Sequence, residues 1–164
     1  MDCSILIKNQ IVLYSSEDAD LFENCKWRIG TGNYVMRGER HGYKGKYLNI
    51  YFHKMVGERM GLDTINLFVD HINRNKLDNR RSNLRSATWS QNNANSNKPR
   101  NKTGYKGVYP SKKRWYANIQ VNKVPIYIGS FKTPIEAALA YDEAAIKYFG
   151  EFASLNFPNK KVRL

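Results

Sequence analysis

The sequence predicts an α+β protein: a β-rich N-terminal region, then a three-stranded antiparallel sheet packed on one helix. Three observations carry that prediction. Short strand-like runs and a Gly–Asn turn recur through residues 1–52. Residues 115–121 alternate apolar and polar side chains without a break. Residues 133–150 carry a helical start signal, an apolar stripe and a stop.

Ile11 to Tyr14 reads as an apolar strand. Ser15 or Ser16 is placed to cap a helix running from Asp20 to Cys25, with Glu17 and Asp18 suiting its first turn. Trp27 to Ile29 and Tyr34 to Met36 flank the Gly30–Asn33 turn as two short strands. Tyr47 to Phe52 reads as a further strand, and His53 to Met60 as a short helix ended by Gly61. Asn66 to Asp70 is a short apolar strand, followed by an Asn-, Arg- and Asp-rich loop from Asn73 to Ser82. Asn83 to Asn93 returns to order, a strand edge passing into a helix near Ser90.

Residues 96–103 are polar and basic with Pro99, too poor in apolar side chains to pack, and read as a linker. Beyond it, Tyr105–Tyr109, Trp115–Val121 and Pro125–Phe131 are strands, separated by turns at Pro110–Lys113 and Asn122–Lys123. Trp115, Ala117, Ile119 and Val121 share one face; Arg114, Tyr116, Asn118 and Gln120 share the other. The helix opens with a Thr133–Glu136 capping box and Pro134 in its first turn. Ile135, Ala138, Leu139, Ile146 and Phe149 form its expected stripe, and Gly150 stops it. Asp142 is expected to brace the fold. The expected domains are 1–95 (a β-rich part, 1–52, and a core, 53–95), the linker 96–103, a module over 104–157 and a basic tail, 158–164.

Composition narrows the function. The chain has 164 residues, 41% of them hydrophobic, which suits one or two small domains and excludes a disordered chain. No apolar run approaches a membrane span, and no secretory signal is expected at the N-terminus. The two cysteines, Cys3 and Cys25, are too few for a disulfide scaffold or a four-ligand zinc site. The net charge is +13. From His71 to Lys132 stand 14 Lys or Arg against one acid, Asp78, so this block of 62 residues holds the whole excess. Such a block attracts a polyanion through steering and counterion release. Without a basic amphipathic helix, nucleic acid is favoured over a membrane surface.

Asp70 and His71 adjoin at the end of a strand, where neighbours point to opposite sides. A carboxylate and an amide oxygen suit a hard cation, and a neutral imidazole suits deprotonation of water near pH 7. Phosphodiester cleavage needs both functions.

The segment resembles the HNH endonucleases with a ββα-metal finger. The match is D-H-I-N-x-N-x-x-D-N-R-x-x-N-L-R from Asp70 to Arg85, with Asn92 nine residues after Asn83. The resemblance implies that Asp70 and Asn92 ligate one divalent metal, Mg²⁺ or Mn²⁺. It implies that His71 is the general base and that Asn83 ties the loop and orients that base. Asn92 stands where the motif carries a His, an exchange known in phage-type members, which disfavours Zn²⁺. His53, in Tyr51-Phe-His-Lys54, is similar to a His-Arg pair that precedes the motif; it either contacts phosphate or starts a helix. Arg74, Arg80, Arg81 and Arg85 are the expected DNA-contacting cations of the loop, and Lys98, Arg100 and Lys102 those of the linker.

Residues 104–157 resemble the AP2/ERF DNA-binding domain. The signature runs through Gly104-Tyr-Lys-Gly-Val-Tyr109, Arg114-Trp-Tyr-Ala-Asn-Ile119, Tyr127-Ile-Gly-Ser-Phe131 and Leu155-Asn-Phe157. The resemblance implies that Lys106, Tyr109, Arg114, Asn118, Gln120, Tyr127 and Ser130 lie against the major groove, with Asn118 and Gln120 able to pair with adenine. Lys112, Lys113 and Arg114 would meet phosphate. The expected function is a metal-dependent, site-specific DNA endonuclease of the phage homing type, a monomer on double-stranded DNA in the cytoplasm of a bacterial host. No membrane or small-molecule partner is expected. The alternative is a DNA-binding regulator without nuclease activity; an RNA-binding role is disfavoured because the sheet lacks an aromatic stacking platform.

Overall fold

The structure, a computed structural model, describes residues 1–23, 25–41, 46–96 and 103–158, without the side chains of residues 41 and 46. The described residues form an α+β chain with four small sheets and two compact units, Met1–Ala87 and Thr88–Leu164.

The N-terminal unit opens on a hairpin of β1 (Asp2–Ile7) and β2 (Gln10–Ser15), with Asp2 opposite Ser15 and Ile7 opposite Gln10. Lys8 and Asn9 take φ of 47° and 61°, the left-handed pair that a two-residue hairpin needs. The first strand is not among the elements expected from the sequence; of its exposed residues Asp2, Ser4 and Leu6 one is apolar, and the alternate side chains are only half-buried. The helix expected over Asp20–Cys25 is shorter: a 3-10 turn at Ser16–Asp18, then α1 (Asp20–Glu23). Ser15 makes no side-chain cap there. Its Oγ instead accepts the backbone N–H of Arg81 at 3.0 Å. Asp18 is fully buried rather than dressing a helix start.

β3 (Arg28–Ile29), β4 (Val35–His41) and β5 (Lys46–Tyr51) form the second sheet in that order. Trp27 stands outside it; its Nε1 donates to the carbonyl of Leu21 at 2.7 Å, and its ring meets Phe52 edge-on at 5.0 Å. α2 (Phe52–Arg59) follows, and Gly61 ends that turn at φ 74°. The core joins Val12, Leu21, Val35, Phe52, Val56, Val69 and Leu84. Full burial of Phe52 alone contributes about 2 kcal/mol.

β6 (Phe68–His71) pairs antiparallel with β8 (Leu84–Ala87), placing Asp70 opposite Arg85 and His71 opposite Leu84. Inside the connecting loop, β7 (Asp78–Asn79) pairs parallel with β2. This ties the loop to the first hairpin, and the sequence gives no local sign of it.

The second unit begins with α3 (Trp89–Ala94), started by a Thr88–Gln91 capping box. Ser90 Oγ accepts the N–H of Asn122 at 2.8 Å, and Ala94 packs with Ile119, Tyr141 and Phe149. β9 (Val108–Ser111), β10 (Arg114–Val121) and β11 (Val124–Phe131) form an antiparallel sheet with β10 in the centre. The first strand was expected from Tyr105 but starts at Val108, because Gly104 and Gly107 turn at φ 78° and 74°. A Cβ on Gly107 would lie 2.7 Å from the carbonyl oxygen of Asn118 and inside the Tyr141 ring. Asn122 and Lys123, at φ 50° and 68°, close the tight second hairpin.

α4 (Pro134–Phe149) has the capping box of Thr133 and Glu136. Its buried side is Ala137, Ala138, Tyr141, Asp142, Ala145 and Phe149. Ile135, expected on the stripe, is 50% exposed instead. Small alanines face the sheet, so helix and sheet approach closely where a branched side chain would hold them apart. Asp142 accepts the N–H of Asn156 at 2.8 Å and of Phe157 at 2.9 Å, clamping the final segment. No helix of the described residues is long and apolar enough to cross a membrane.

Candidate active site and nucleic-acid interface

The β6–β8 hairpin brings the predicted residues of the N-terminal unit together. Asp70 and His71 are 5% and 4% exposed, so both are buried rather than split between interior and surface. Arg85 Nε donates to Asp70 Oδ2 at 3.2 Å across the hairpin. His71 Nε2 lies 3.2 Å from Asn79 Oδ1. Asn79 Nδ2 points to the carbonyl of Lys76 at 3.4 Å, which turns Oδ1 toward the ring. With that orientation Nε2 is the donor, and the lone pair of the neutral imidazole sits on Nδ1.

Asn83 has one of its two expected tasks, the loop tie. Its Nδ2 donates to the carbonyl of Asp78 at 2.7 Å and to Asn73 Oδ1 at 2.9 Å, while its Oδ1 accepts the N–H of Asn73 at 2.9 Å. Asn83 therefore ties the loop, and the hydrogen bond to the His71 ring comes from Asn79. No spacing rule separates Asn79 from its neighbours in an Asn-rich loop; only the β7 pairing fixes it.

A ring cluster surrounds the imidazole. His53 lies 5.0 Å from His71 between centroids, and Tyr34 lies 5.1 Å from His53 and 6.2 Å from His71. Tyr51 closes the group at 5.6 Å from Tyr34. Lys76 Nζ stands 4.0 Å from the centroid of the Tyr34 ring. Tyr34 was not legible as a site residue, because it arrives from a turn 37 positions before His71.

Burial sets the electrostatics. It holds the His71 imidazole below the ordinary histidine value, against the Asn79 hydrogen bond and the charges of Asp70 and Asp78. His53 is pushed down to about 3, first by burial, then by His71, Lys54 and Lys76. Both rings are neutral at pH 7. Tyr34 is raised by burial and by Asp70.

Two of the loop arginines, Arg80 and Arg81, have carboxylate partners. Arg80 forks onto Asp78, with Nε and Nη2 both 2.7 Å from its oxygens, and reaches Asp2 at 2.7 Å. Arg81 forks onto Asp18, both contacts 2.8 Å. The Arg80 bond holds the Asp78 carboxyl below the usual carboxylate range. Arg74 turns at φ 66° in the exposed part of the loop.

Asn92 lies on α3, in the second unit, and is half-buried. Asp70 offers carboxylate oxygens and Asn92 an amide oxygen, each a donor of the kind that a hard divalent cation takes. Among the described residues no three His, Cys, Asp or Glu gather into a group that could hold a metal ion.

In the second unit the polar face of the sheet carries the remaining candidates. Tyr116 stands opposite Tyr109 and their rings stack at 5.3 Å. Tyr127 is 65% exposed, opposite Asn118. Arg114 donates to Ser130 Oγ and to its carbonyl, both at 2.8 Å. Gln120 Nε2 donates to the carbonyl of Lys123 at 3.2 Å. Lys112 and Lys113 sit exposed in the turn. Lys106 points away from that face: its Nζ donates to the carbonyls of Ala94 and Ser96. Lys98, Arg100 and Lys102 lie outside the described residues.

Comparison with known proteins accords with this geometry. A family model described as HNH endonuclease matches residues 51–94. An uncharacterized HNH endonuclease of Acanthamoeba polyphaga mimivirus is 31% identical over 154 residues, covering 93% of this chain and 76% of that protein. An ethylene-responsive transcription factor of Arabidopsis thaliana is 44% identical over 59 residues, 34% of this chain and 32% of its own length. A dehydration-responsive element-binding protein of Oryza sativa is 46% identical over 51 residues, 30% of this chain and 16% of its own. The plant proteins support the AP2/ERF resemblance of the C-terminal domain, although this chain spans a third of their length or less. The relative that shares almost the whole chain, with the motif match around His71, settles the family: the chain belongs to the HNH endonucleases.

Proposed function

We propose that the chain is a metal-dependent, site-specific DNA endonuclease of the homing type. The observation that carries this is His71, a buried neutral imidazole held by Asn79 and set beside Asp70 on one strand. His71 takes the proton of the attacking water at Nδ1, and Asn79 fixes the tautomer that makes Nδ1 the base. Asn83 keeps the loop closed around it. Asp70 and Asn92 would hold one Mg²⁺, which when bound steadies charge on the phosphate and on the leaving 3′ oxygen. Mn²⁺ suits the same oxygen donors.

The nuclease part would span 1–95 and contain a ββα-metal finger, with the linker 96–103 tracking the backbone. The AP2/ERF-like module, 104–157, chooses the site on double-stranded DNA. Tyr109, Asn118, Gln120 and Tyr127 offer groups to base edges, while Lys112 and Lys113 offer charge to phosphates. The names of the plant relatives, a transcription factor and an element-binding protein, support a DNA-reading role for this part. A monomer with one such centre cuts one strand at a time.

The experiment is cleavage of supercoiled plasmids carrying candidate sites, with Mg²⁺ and with the metal chelated. Nicked circles that appear only with Mg²⁺ are expected. A protein that retains every plasmid in a gel shift yet leaves all of them supercoiled would replace the nuclease reading with that of a DNA-binding regulator.

A further inference from the structure

We infer that Lys76 is the cation that meets the scissile phosphate, a catalytic residue beyond Asp70, His71, Asn79, Asn83 and Asn92. The inference rests on the nuclease reading and names a further group in the same site. Its ground is the contrast between Lys76 and three arginines that follow it. Arg80 and Arg81 are neutralised by forked carboxylates, and Arg85 donates to Asp70. Lys76 has no acidic partner among the described residues. Its ammonium nevertheless stands over an aromatic ring, 4.0 Å from the Tyr34 centroid.

Holding a cation on a ring rather than on a carboxylate leaves its charge uncancelled, while the ring limits its freedom. The same residue is wired to the base. The Lys76 carbonyl accepts from Asn79, and Asn79 meets the His71 ring. The Tyr34 ring neighbours both groups, its centroid 4.0 Å from the ammonium and 6.2 Å from the centroid of the imidazole. A half-buried positive charge that shares the Tyr34 ring with the base is placed to meet the non-bridging oxygens of a phosphate being attacked there. It needs no reorganisation as negative charge develops, the condition under which such groups are most effective.

The test uses the full chain with Mg²⁺ and a DNA that the wild type cuts. Lys76→Met keeps the apolar stem over Tyr34 and removes the charge; Lys76→Arg restores it. Rates are measured under single turnover at saturating protein, and Kd by gel shift at one salt concentration. Lys76→Met is expected to cut about 100-fold more slowly, the scale of losing one preorganised charge-stabilising donor. Its Kd is expected to stay within about threefold, because one phosphate contact is a small part of the footprint. Lys76→Arg is expected to recover most of the rate. Lys76→Gln, measured alongside, gives the same reading if the Met variant folds poorly. Equal rates for wild type and both neutral variants would overturn the inference and leave the nuclease reading standing. A loss that Arg fails to rescue, accompanied by a lowered melting temperature, would also overturn it by assigning Lys76 a packing role. A wild type that cuts nothing would remove both readings.

Discussion

The two units treat positive charge in opposite ways. In the N-terminal unit Arg59, Arg80, Arg81 and Arg85 all contact aspartates, and Asp18, Asp70 and Asp78 are buried among them. In the C-terminal unit Arg114 is held by the hydroxyl and carbonyl of Ser130, and Lys112 and Lys113 stand exposed in a turn. The basic block over residues 71–132 is therefore two things. Arg80 and Arg81 of its first part are scaffold, because Asp2 and Asp18, distant in sequence, supply the opposite charge. Lys112 and Lys113 of its second part are surface. Counting charge along a chain cannot separate these, since ion pairs cross the boundaries of any window.

That contrast can be broken or sharpened in four ways. The largest expected effect is at Asn79. Asn79→Ala removes the partner of His71 Nε2 and frees the ring to choose the wrong tautomer, and should slow cleavage about 100-fold with DNA affinity kept. Single-turnover rates beside a gel shift check it. A smaller effect, on stability alone, is expected for Arg81→Ala. It strips the main partner from the fully buried Asp18 and should cost about 2 kcal/mol in urea unfolding. If the change left stability intact and weakened DNA binding instead, the arginines would belong to the footprint after all.

The third concerns pH. His53 prefers the neutral form when folded, so the unfolded chain binds the extra proton. The N-terminal unit should thus be fully supported by His53 above about pH 6.5 and should lose that support as pH falls toward 3. His53→Gln should flatten the dependence in melting curves. Asp78 acts lower on the scale. Its carboxyl is depressed by Arg80, so its contribution holds above pH 3.8 and disappears below it. The smallest effect is in the C-terminal unit. Replacing Lys112 and Lys113 by Gln should reduce the salt slope of DNA binding by about 2, with cleavage under saturating protein unchanged. Asn118→Ala with Gln120→Ala should instead blur site preference and leave slow, nonspecific cutting in place.

The C-terminal unit is the more legible of the two, for a physical reason. Its signals are local: the Thr133–Glu136 box, the alternation along β10 and the Asn122–Lys123 hairpin each lie within a few residues of the structure they specify. Its errors are local too. Ile135 matches a helical period but falls on the exposed side, and the Gly104 and Gly107 turns delay the first strand. In the N-terminal unit the decisive contacts are long-range. Ser15 has the look of a helix cap and serves Arg81, 66 positions away. β7 is two residues long and exists because β2 pairs with it. Motif spacing located Asp70, His71 and Asn83. It did not reveal that Asn79 would hold the ring, because that depends on where β7 lies. Tyr34 and Lys76 enter only through the folded turn that brings them together.

The central claim is that a neutral His71 removes the proton from the water that cuts DNA. Its most direct measurement is Mg²⁺-dependent cleavage by wild type and His71→Ala under single turnover, at protein concentrations where both saturate the DNA. The account predicts a loss of about 1,000-fold in His71→Ala, within the range that a positioned general base contributes, with wild-type affinity. Equal cleavage by the two proteins would contradict it.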